Sequence, residues 1–254
     1  MKECIAVINQ KGGVGKSTTS NAIGAGLFQR GYKVLFIDLD AQGNLSYSMK
    51  CENKPLSSLE VLTGTATARE ATLTTPQGDI IPASPALASA DTIITDTGRE
   101  YRLKEALEPL KEVYDYIIID TPPALGTLTI NALTACDSVI IPAQADIYSL
   151  QGIGQLNQTI QTVKRYCNSD LTIKGIVITR YSPRAVLTRD MTDLLEDTAK
   201  QLNTKVFTSR IRECIALKEA QARQQDIFTY SPSSNAAKDY EGLLTEILGG
   251  KDNG

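Results

Sequence analysis

The chain has 254 residues, 42% hydrophobic and 22% charged, with a formal net charge of −3 and no histidine. That length suits one large α/β domain spanning 1–254, and no apolar run approaches the roughly 18 residues of a membrane span. Five scattered cysteines (Cys4, Cys51, Cys136, Cys167 and Cys214) form no C-x-x-C pair, which argues against a zinc site and a disulfide framework, and the missing histidine removes histidine-based acid/base and triad chemistry.

In chain order, Cys4 to Ile8 is a short apolar run suited to a buried strand, so no signal peptide is expected, and with the cysteines read as free thiols a cytoplasmic location follows. Next comes Gln10-Lys11-Gly12-Gly13-Val14-Gly15-Lys16-Ser17-Thr18, which departs from G-x-x-x-x-G-K-[ST] only at its first position. Gly12, Gly13 and Gly15 let the loop curl so that its N–H groups face phosphate oxygens. Lys16 suits the β/γ-phosphates and Ser17 a Mg²⁺ ion. A helix from Thr18 to Leu27, closed by Gly31, puts the phosphate at a helix N-terminus. ATP and Mg²⁺ are the expected ligands, with residues Lys11, Gly12, Gly13, Val14, Gly15, Lys16, Ser17 and Thr18 holding the nucleotide. Lys11 is surplus, because Lys16 already serves its own loop. A lysine at the start of the loop can instead reach a nucleotide in a facing subunit, which implies a nucleotide-driven homodimer.

Val34 to Ile37 reads as a second strand, ending at Asp38. Residues two apart on a strand share a face, so Asp38 and Asp40 both point toward the loop. The stretch 63–98, rich in Thr, Ala and Pro, predicts irregular chain with one short hairpin. Leu103, Ala106, Leu107, Leu110 and Val113 follow a helical stripe. Tyr116 to Ile119 forms a strand before Asp120-Thr121-Pro122-Pro123, the pattern of a Walker-B acid that holds a water of the Mg²⁺ shell. Ser138 to Ile141 predicts a strand stopping before Pro142, residues 149–166 a helix, and Ile173 to Thr179 a strand ending at Arg180. Leu187, Met191, Leu194, Leu195, Thr198 and Leu202 form another helical stripe. A last helix is expected near 234–248, and a frayed tail at 249–254. Alternating strands and helices predict an α/β doubly wound, mostly parallel sheet with helices on both faces, with the ligand beyond the carboxyl ends of the strands.

These acids suggest a division of labour. Ser17, Asp40 and Asp120 are the candidate metal residues. Asp40 is the candidate for orienting an attacking water, Lys16 and Lys11 for neutralising phosphate charge, and Asp38 for supporting them, since phosphoryl transfer needs placement and charge neutralisation above all. Charge is also uneven: residues 164–223 hold 12 Lys/Arg against 7 Asp/Glu, and the remainder 14 against 22. That asymmetry marks a basic face on an acidic protein.

The segments Ile8–Thr19, Phe36–Asn44 and Tyr114–Ala124, with Thr129–Leu133 and Ile141–Gln144, resemble the ParA/Soj partition ATPases of the deviant Walker-A class, which also contains MinD. The total length points to the short ParA type. The resemblance implies a P-loop NTPase fold, ATP-dependent sandwich dimers, sequence-independent DNA binding on the bacterial nucleoid, and slow hydrolysis stimulated by a ParB-like partner. It also implies that Tyr230-Ser231-Pro232 lies against the adenine, Tyr230 and Pro232 touching it, with Arg180 contacting the base. Arg184, Arg189, Arg212, Lys218 and Arg223 become the DNA candidates. Where relatives carry an arginine this chain has Ala216, for which Lys218 is the stand-in; Ala41 replaces a common proline. The alternative is a MinD-like membrane-cycling ATPase, but the last helix is acidic, which anionic headgroups repel. A metabolic enzyme on the same fold fits less well: an iron–sulfur reductase has only Cys136 to offer, and a synthetase lacks length for a substrate domain.

Overall fold

The structure, a computed structural model, describes residues 1–52, 54–182 and 186–250, and of 186–189 the backbone alone. In chain order it runs β1 (Glu3–Val7), α1 (Lys16–Gln29), β2 (Val34–Asp38), α2 (Asn44–Ser48), α3 (Ser58–Thr63), α4 (Ala68–Ala71), β3 (Leu73–Thr75), β4 (Gly78–Ile81), α5 (Ala90–Ile93) and α6 (Arg102–Leu107). It continues β5 (Tyr116–Asp120), α7 (Thr127–Ala135), β6 (Ser138–Ala143), α8 (Ile147–Tyr166), β7 (Thr172–Ile178), α9 (Val186–Gln201), α10 (Ile215–Ala222), α11 (Ile227–Tyr230) and α12 (Asn235–Ile247). The strands form one sheet in the order β3-β4-β2-β5-β1-β6-β7, parallel except for β3 against β4. This is the expected doubly wound sheet.

Strand parity divides the core. Cys4, Ala6, Leu35, Ile37, Ile117, Ile119, Val139 and Ile141 face α7 and α8 on one side. Ile5, Val7, Phe36, Ile118 and Ile140 face α1 and α12 on the other. Both faces are covered, so these strands are apolar throughout instead of alternating with polar residues. Helix α1 is buried almost all round, and its glycines permit that: a Cβ on Gly24 would sit 2.1 Å from the Phe36 ring, and one on Gly26 2.2 Å from Leu244.

Several sequence expectations shift. The hairpin in 63–98 exists, but β4 also pairs in parallel with β2, so it extends the sheet, and short helices fill much of the remainder. The 103–113 stripe breaks: α6 ends at Leu107, a 3₁₀ turn carries Pro109, and Val113 is 43% exposed. Proline has no N–H to continue the helix. β6 runs through Pro142, beyond the last β1 residue that pairs with it, so the missing N–H interrupts no bond there. Among the described side chains of α9 the buried ones are Thr192, Leu195 and Ala199, while Leu194 is 45% exposed. That face is rotated from the predicted stripe, and the helix packs against α8. Of the predicted tail, Gly249 and Gly250 are exposed and 251–254 lie outside the described residues.

The register brings the chemistry together. Val7 of β1 pairs with Asp120 of β5, which pairs with Asp38 of β2. The loop after β1 and both strand-end acids therefore emerge at one level, at the carboxyl edge. There the connection from β5 to β6 passes to the other side of β1, the switch point where open α/β sheets bind ligands.

Candidate nucleotide site

The loop from Gln10 to Gly15 is stapled from three sides. Asn9, fully buried, donates to the Pro142 carbonyl at 2.7 Å and accepts the Lys11 N–H at 2.9 Å. Gln144 donates to the Gly13 carbonyl at 3.3 Å, and Thr179 to the Val14 carbonyl at 2.8 Å. Gly13 and Gly15 have φ of 73° and 88°, where a side chain would be strained. Gly15 is the N-cap of α1, and no side chain caps that helix. The first-turn N–H groups are thus free to bind an anion.

A cavity of about 500 Å³ opens over this turn, lined by Gly12, Gly13, Gly15, Lys16, Ser17 and Thr18 together with Asp40, Pro123, Arg180 and Gln221. Its volume is within the usual range for small-molecule sites. Lys16 is buried, its ammonium 3.3 Å from the Lys11 carbonyl. Burial lowers its pKa, while Asp120 and Asp40 pull it back up. Asp120 is fully buried. Ser20 donates to its Oδ1 at 3.0 Å, yet Oδ2 has no partner. Burial and the neighbouring Asp38 raise its pKa, while the nearby Ser17 hydroxyl and Lys16 draw it down. An orphaned carboxylate oxygen next to the Ser17 hydroxyl fits a hydrated Mg²⁺ ion, which keeps most of its waters.

Asp38 plays a different part. Its oxygens accept the Ser46 N–H at 2.8 Å, the Ser46 hydroxyl at 2.7 Å and the Asp40 N–H at 3.1 Å. Those bonds fix the segment that carries Asp40, so Asp38 supports the site from behind and does not line the cavity. Asp40 lines it and accepts the Gln42 N–H at 3.0 Å.

Lys11 meets Asp146 at 2.5 Å and Gln144 at 3.4 Å within its own chain. Asp146 also caps α8 by accepting the Ser149 N–H. The strand-end Arg180 takes a left-handed conformation (φ 49°), rare outside glycine. It borders a second cavity of about 170 Å³, shared with Gly15, Thr18, Ile211, Leu217 and Gln221. Gln221 donates to the Thr18 hydroxyl at 2.9 Å.

Other expected residues fall elsewhere. Tyr230 and Pro232 line neither cavity. Tyr230 ends α11, whose Phe228 packs by Gly26 at the far end of α1, and its hydroxyl meets Glu219 at 3.2 Å. The second cavity is instead walled by Ile211, Arg212, Glu213, Cys214 and Leu217, a segment whose charges the sequence reading assigned to DNA contact and not to the nucleotide. Gln144 lies in the Ile141–Gln144 segment of the family resemblance but carried no assigned role, and Gln221 left no signal; Asp146 did, as an acid ahead of a helix. Of the DNA candidates, Arg212 is engaged by Asp239 through contacts down to 2.5 Å, and with Lys218 it borders the second cavity. Lys218 and Arg223 are exposed, but five positions apart on α10 they project about 140° apart. Ala216 is buried, and Lys218 is turned about 200° from it, so the lysine does not occupy the same direction. Arg184 lies outside the described residues, as does the side chain of Arg189.

Residues 2–173 match a family model described as an AAA domain. The chain is 40% identical to the sporulation initiation inhibitor protein Soj of Bacillus subtilis, over 97% of this chain and 98% of that one. It is 36% identical to the chromosome partitioning protein ParA of Myxococcus xanthus, over 96% and 87%. A Mycobacterium smegmatis structure described as cobyrinic acid a,c-diamide synthase with bound ATP analog and magnesium superposes with a TM-score of 0.83, at 35% identity and coverage of 99% and 98%. Strand-end acids, deviant loop and whole-length similarity agree, and the chain belongs to the ParA/Soj family of chromosome-partitioning ATPases.

Proposed function

We propose that this chain binds ATP with Mg²⁺, pairs with a second copy when it does so, and hydrolyses ATP slowly while holding DNA without sequence preference, under stimulation by a ParB-like partner. The observation that carries the nucleotide part is the buried Asp120 carboxylate with an unpartnered Oδ2 beside Ser17 and Lys16, under a capless helix N-terminus. Ser17, Asp120 and Asp40 would hold the hydrated metal. Magnesium would spread the charge of the transferred phosphoryl group. The N–H groups of the loop and of the α1 first turn bind the phosphates, and Lys16 neutralises them. Asp40 orients the attacking water, with Asp38 fixing its backbone. Arg180 and the 211–217 wall receive the base in the second cavity. The reading agrees with the nucleotide and magnesium in the M. smegmatis structure.

Lys11 is the cross-subunit residue in this reading, and to act it exchanges Asp146 for the facing nucleotide. Lys11→Ala should therefore leave ATP binding intact and abolish ATP-dependent dimers. Sedimentation with a non-hydrolysable ATP analogue measures this, and a normal dimer would remove the role.

The synthase description of the M. smegmatis structure favours a second reading, ATP-dependent amide formation. Length does not exclude it, contrary to the expectation from a missing substrate domain, since that chain and this one match over 98% or more of each. The two cavities at the loop, about 500 and 170 Å³, are filled by a nucleotide and leave little room for a second large substrate. Phosphate release stimulated by duplex DNA supports the first reading; release that requires glutamine and a carboxylic acid supports the second.

A further inference from the structure

A cavity of about 230 Å³ opens away from the nucleotide loop, between α7, α8 and the turn at 99–101. Ile130, Val163 and the Tyr166 ring give it an apolar wall. Tyr166 is 65% exposed at one lip, with the Arg165 guanidinium 5.2 Å from its ring centroid. Exposed Arg99 stands on the other lip, and the Tyr101 hydroxyl anchors the Tyr166 carbonyl at 3.0 Å.

The composition of α8 is a second observation. From Ile147 to Val163 it has no charged residue, although Gln151, Gln155, Gln158 and Gln161 are exposed along its outer face. A solvent-facing helix surface ordinarily carries charge. Loss of charge across a face, with tyrosine and arginine at its edge, is the composition of a protein-binding surface. Charge returns at Lys164 and Arg165, by the cavity. Arg165 over the Tyr166 ring and Arg99 opposite put a guanidinium on each lip, with Glu100 beside Arg99, while Lys164 is turned away from the cavity-lining face.

The occupant follows from position and charge. Tyr166 lies about 28 Å along α8 from Ile147 at 1.5 Å per residue. The nucleotide loop meets the other end, through Lys11 and Asp146. A second copy facing that loop leaves this groove uncovered, and a guanidinium on each lip calls for acidic residues.

We propose that the α7–α8 groove docks an amphipathic segment of a different protein, which inserts an apolar side chain against Tyr166 and sets acidic residues against Arg99 and Arg165. The inference stands whether or not the nucleotide reading holds.

The test uses the full chain and a short fluorescein-labelled amphipathic helical peptide, leucine and phenylalanine on one face and glutamate on the other. Its control has lysine for every glutamate. Fluorescence anisotropy should show the acidic peptide bound about tenfold more tightly than the control, the size expected of a few rim charge pairs. Tyr166→Ala and Arg165→Glu should each weaken it by about fivefold or more, while the circular dichroism spectrum and ATP affinity stay unchanged. Equal binding of both peptides, binding of neither at millimolar concentration, or indifference to both substitutions would overturn the proposal. A photo-cross-linking residue at Gln158 checks the occupant inside cells: joining to a chain with an acidic amphipathic segment supports it, and joining only to a second copy of this chain overturns it.

Discussion

Lys16 is a cation drawn out of water before any ligand arrives. Its ammonium has the Lys11 carbonyl at 3.3 Å, and burial depresses its pKa. A triphosphate supplies further negative charge beside that of Asp120 and Asp40. Lys16→Ala should weaken ATP binding at least about tenfold to hundredfold, the range for losing a hydrogen bond to a charged group. Calorimetry checks it, and tight binding by the variant would mean the loop holds phosphate without its lysine. Asp40 makes the contrasting case. It lines the cavity, while its backbone is tied to Asp38. Asp40→Ala should keep ATP bound and lower turnover about a hundredfold or more, by analogy with removing a positioned acid–base group. Phosphate release with bound nucleotide measured in parallel separates the two effects. Wild-type turnover would place water orientation on another residue.

Among the elements, α1 couples fold and site most directly. Its N-terminus is the phosphate turn, and its buried face lies against Phe36 with no space for a methyl group at Gly24. Gly24→Ala should cost about 1–3 kcal/mol of stability by overpacking, even though alanine is the better helix former. Chemical denaturation measures it; a stabilised variant would show that α1 can lift from the sheet without loss. α12 covers α1 from the other side with Tyr240, Leu243 and Leu244, and the Tyr240 hydroxyl lies 3.1 Å from Thr19. Its acids are used internally: Asp239 binds Arg212, Glu241 pairs with Arg30, and Glu246 accepts the Thr208 and Ser209 N–H groups. With its apolar side buried and its acids engaged, this helix is unsuited to lie on lipid, which weakens the MinD-like alternative. Among the described residues no helix is long and apolar enough to cross a membrane.

The proposed DNA binding is a matter for the whole molecule, since no single described helix gathers the basic residues. The basic balance of 164–223 is spread over α8 to α10, with Arg212 paired to Asp239. Two copies side by side would double the phosphate contacts on one surface. We therefore expect duplex binding only with ATP present, falling steeply with salt at a log–log slope of about −0.9 per phosphate contact. Lys218→Glu should weaken binding to all sequences alike. Filter binding across a salt series decides it, and salt-insensitive or ATP-independent binding would point to a different partner. A lysine at the mouth of the base cavity has a second possible consequence, so ATP affinity of the variant is the control.

Much of this protein was legible along the chain. The strand order of apolar runs, the glycine loop and the acids at Asp38, Asp40 and Asp120 are local signals, because strand parity, left-handed glycine turns and strand-end carboxylates are set by neighbours in sequence. Parity also sorted the core, placing Ile5 and Val7 on one face and Cys4 and Ala6 on the other. The tertiary structure alone decided what those signals touch. It put Asp38 behind the site and Asp120 Oδ2 inside it, held Lys11 on Asp146, and moved Tyr230 to the far end of α1. It also brought the 211–217 segment to the loop and left α8 with an uncharged outer face beside an open groove. The physical reason is range: backbone geometry is fixed within a few residues, whereas burial and hydrogen-bond partnership depend on segments more than a hundred positions apart, as between Lys11 and Asp146 or Thr18 and Gln221.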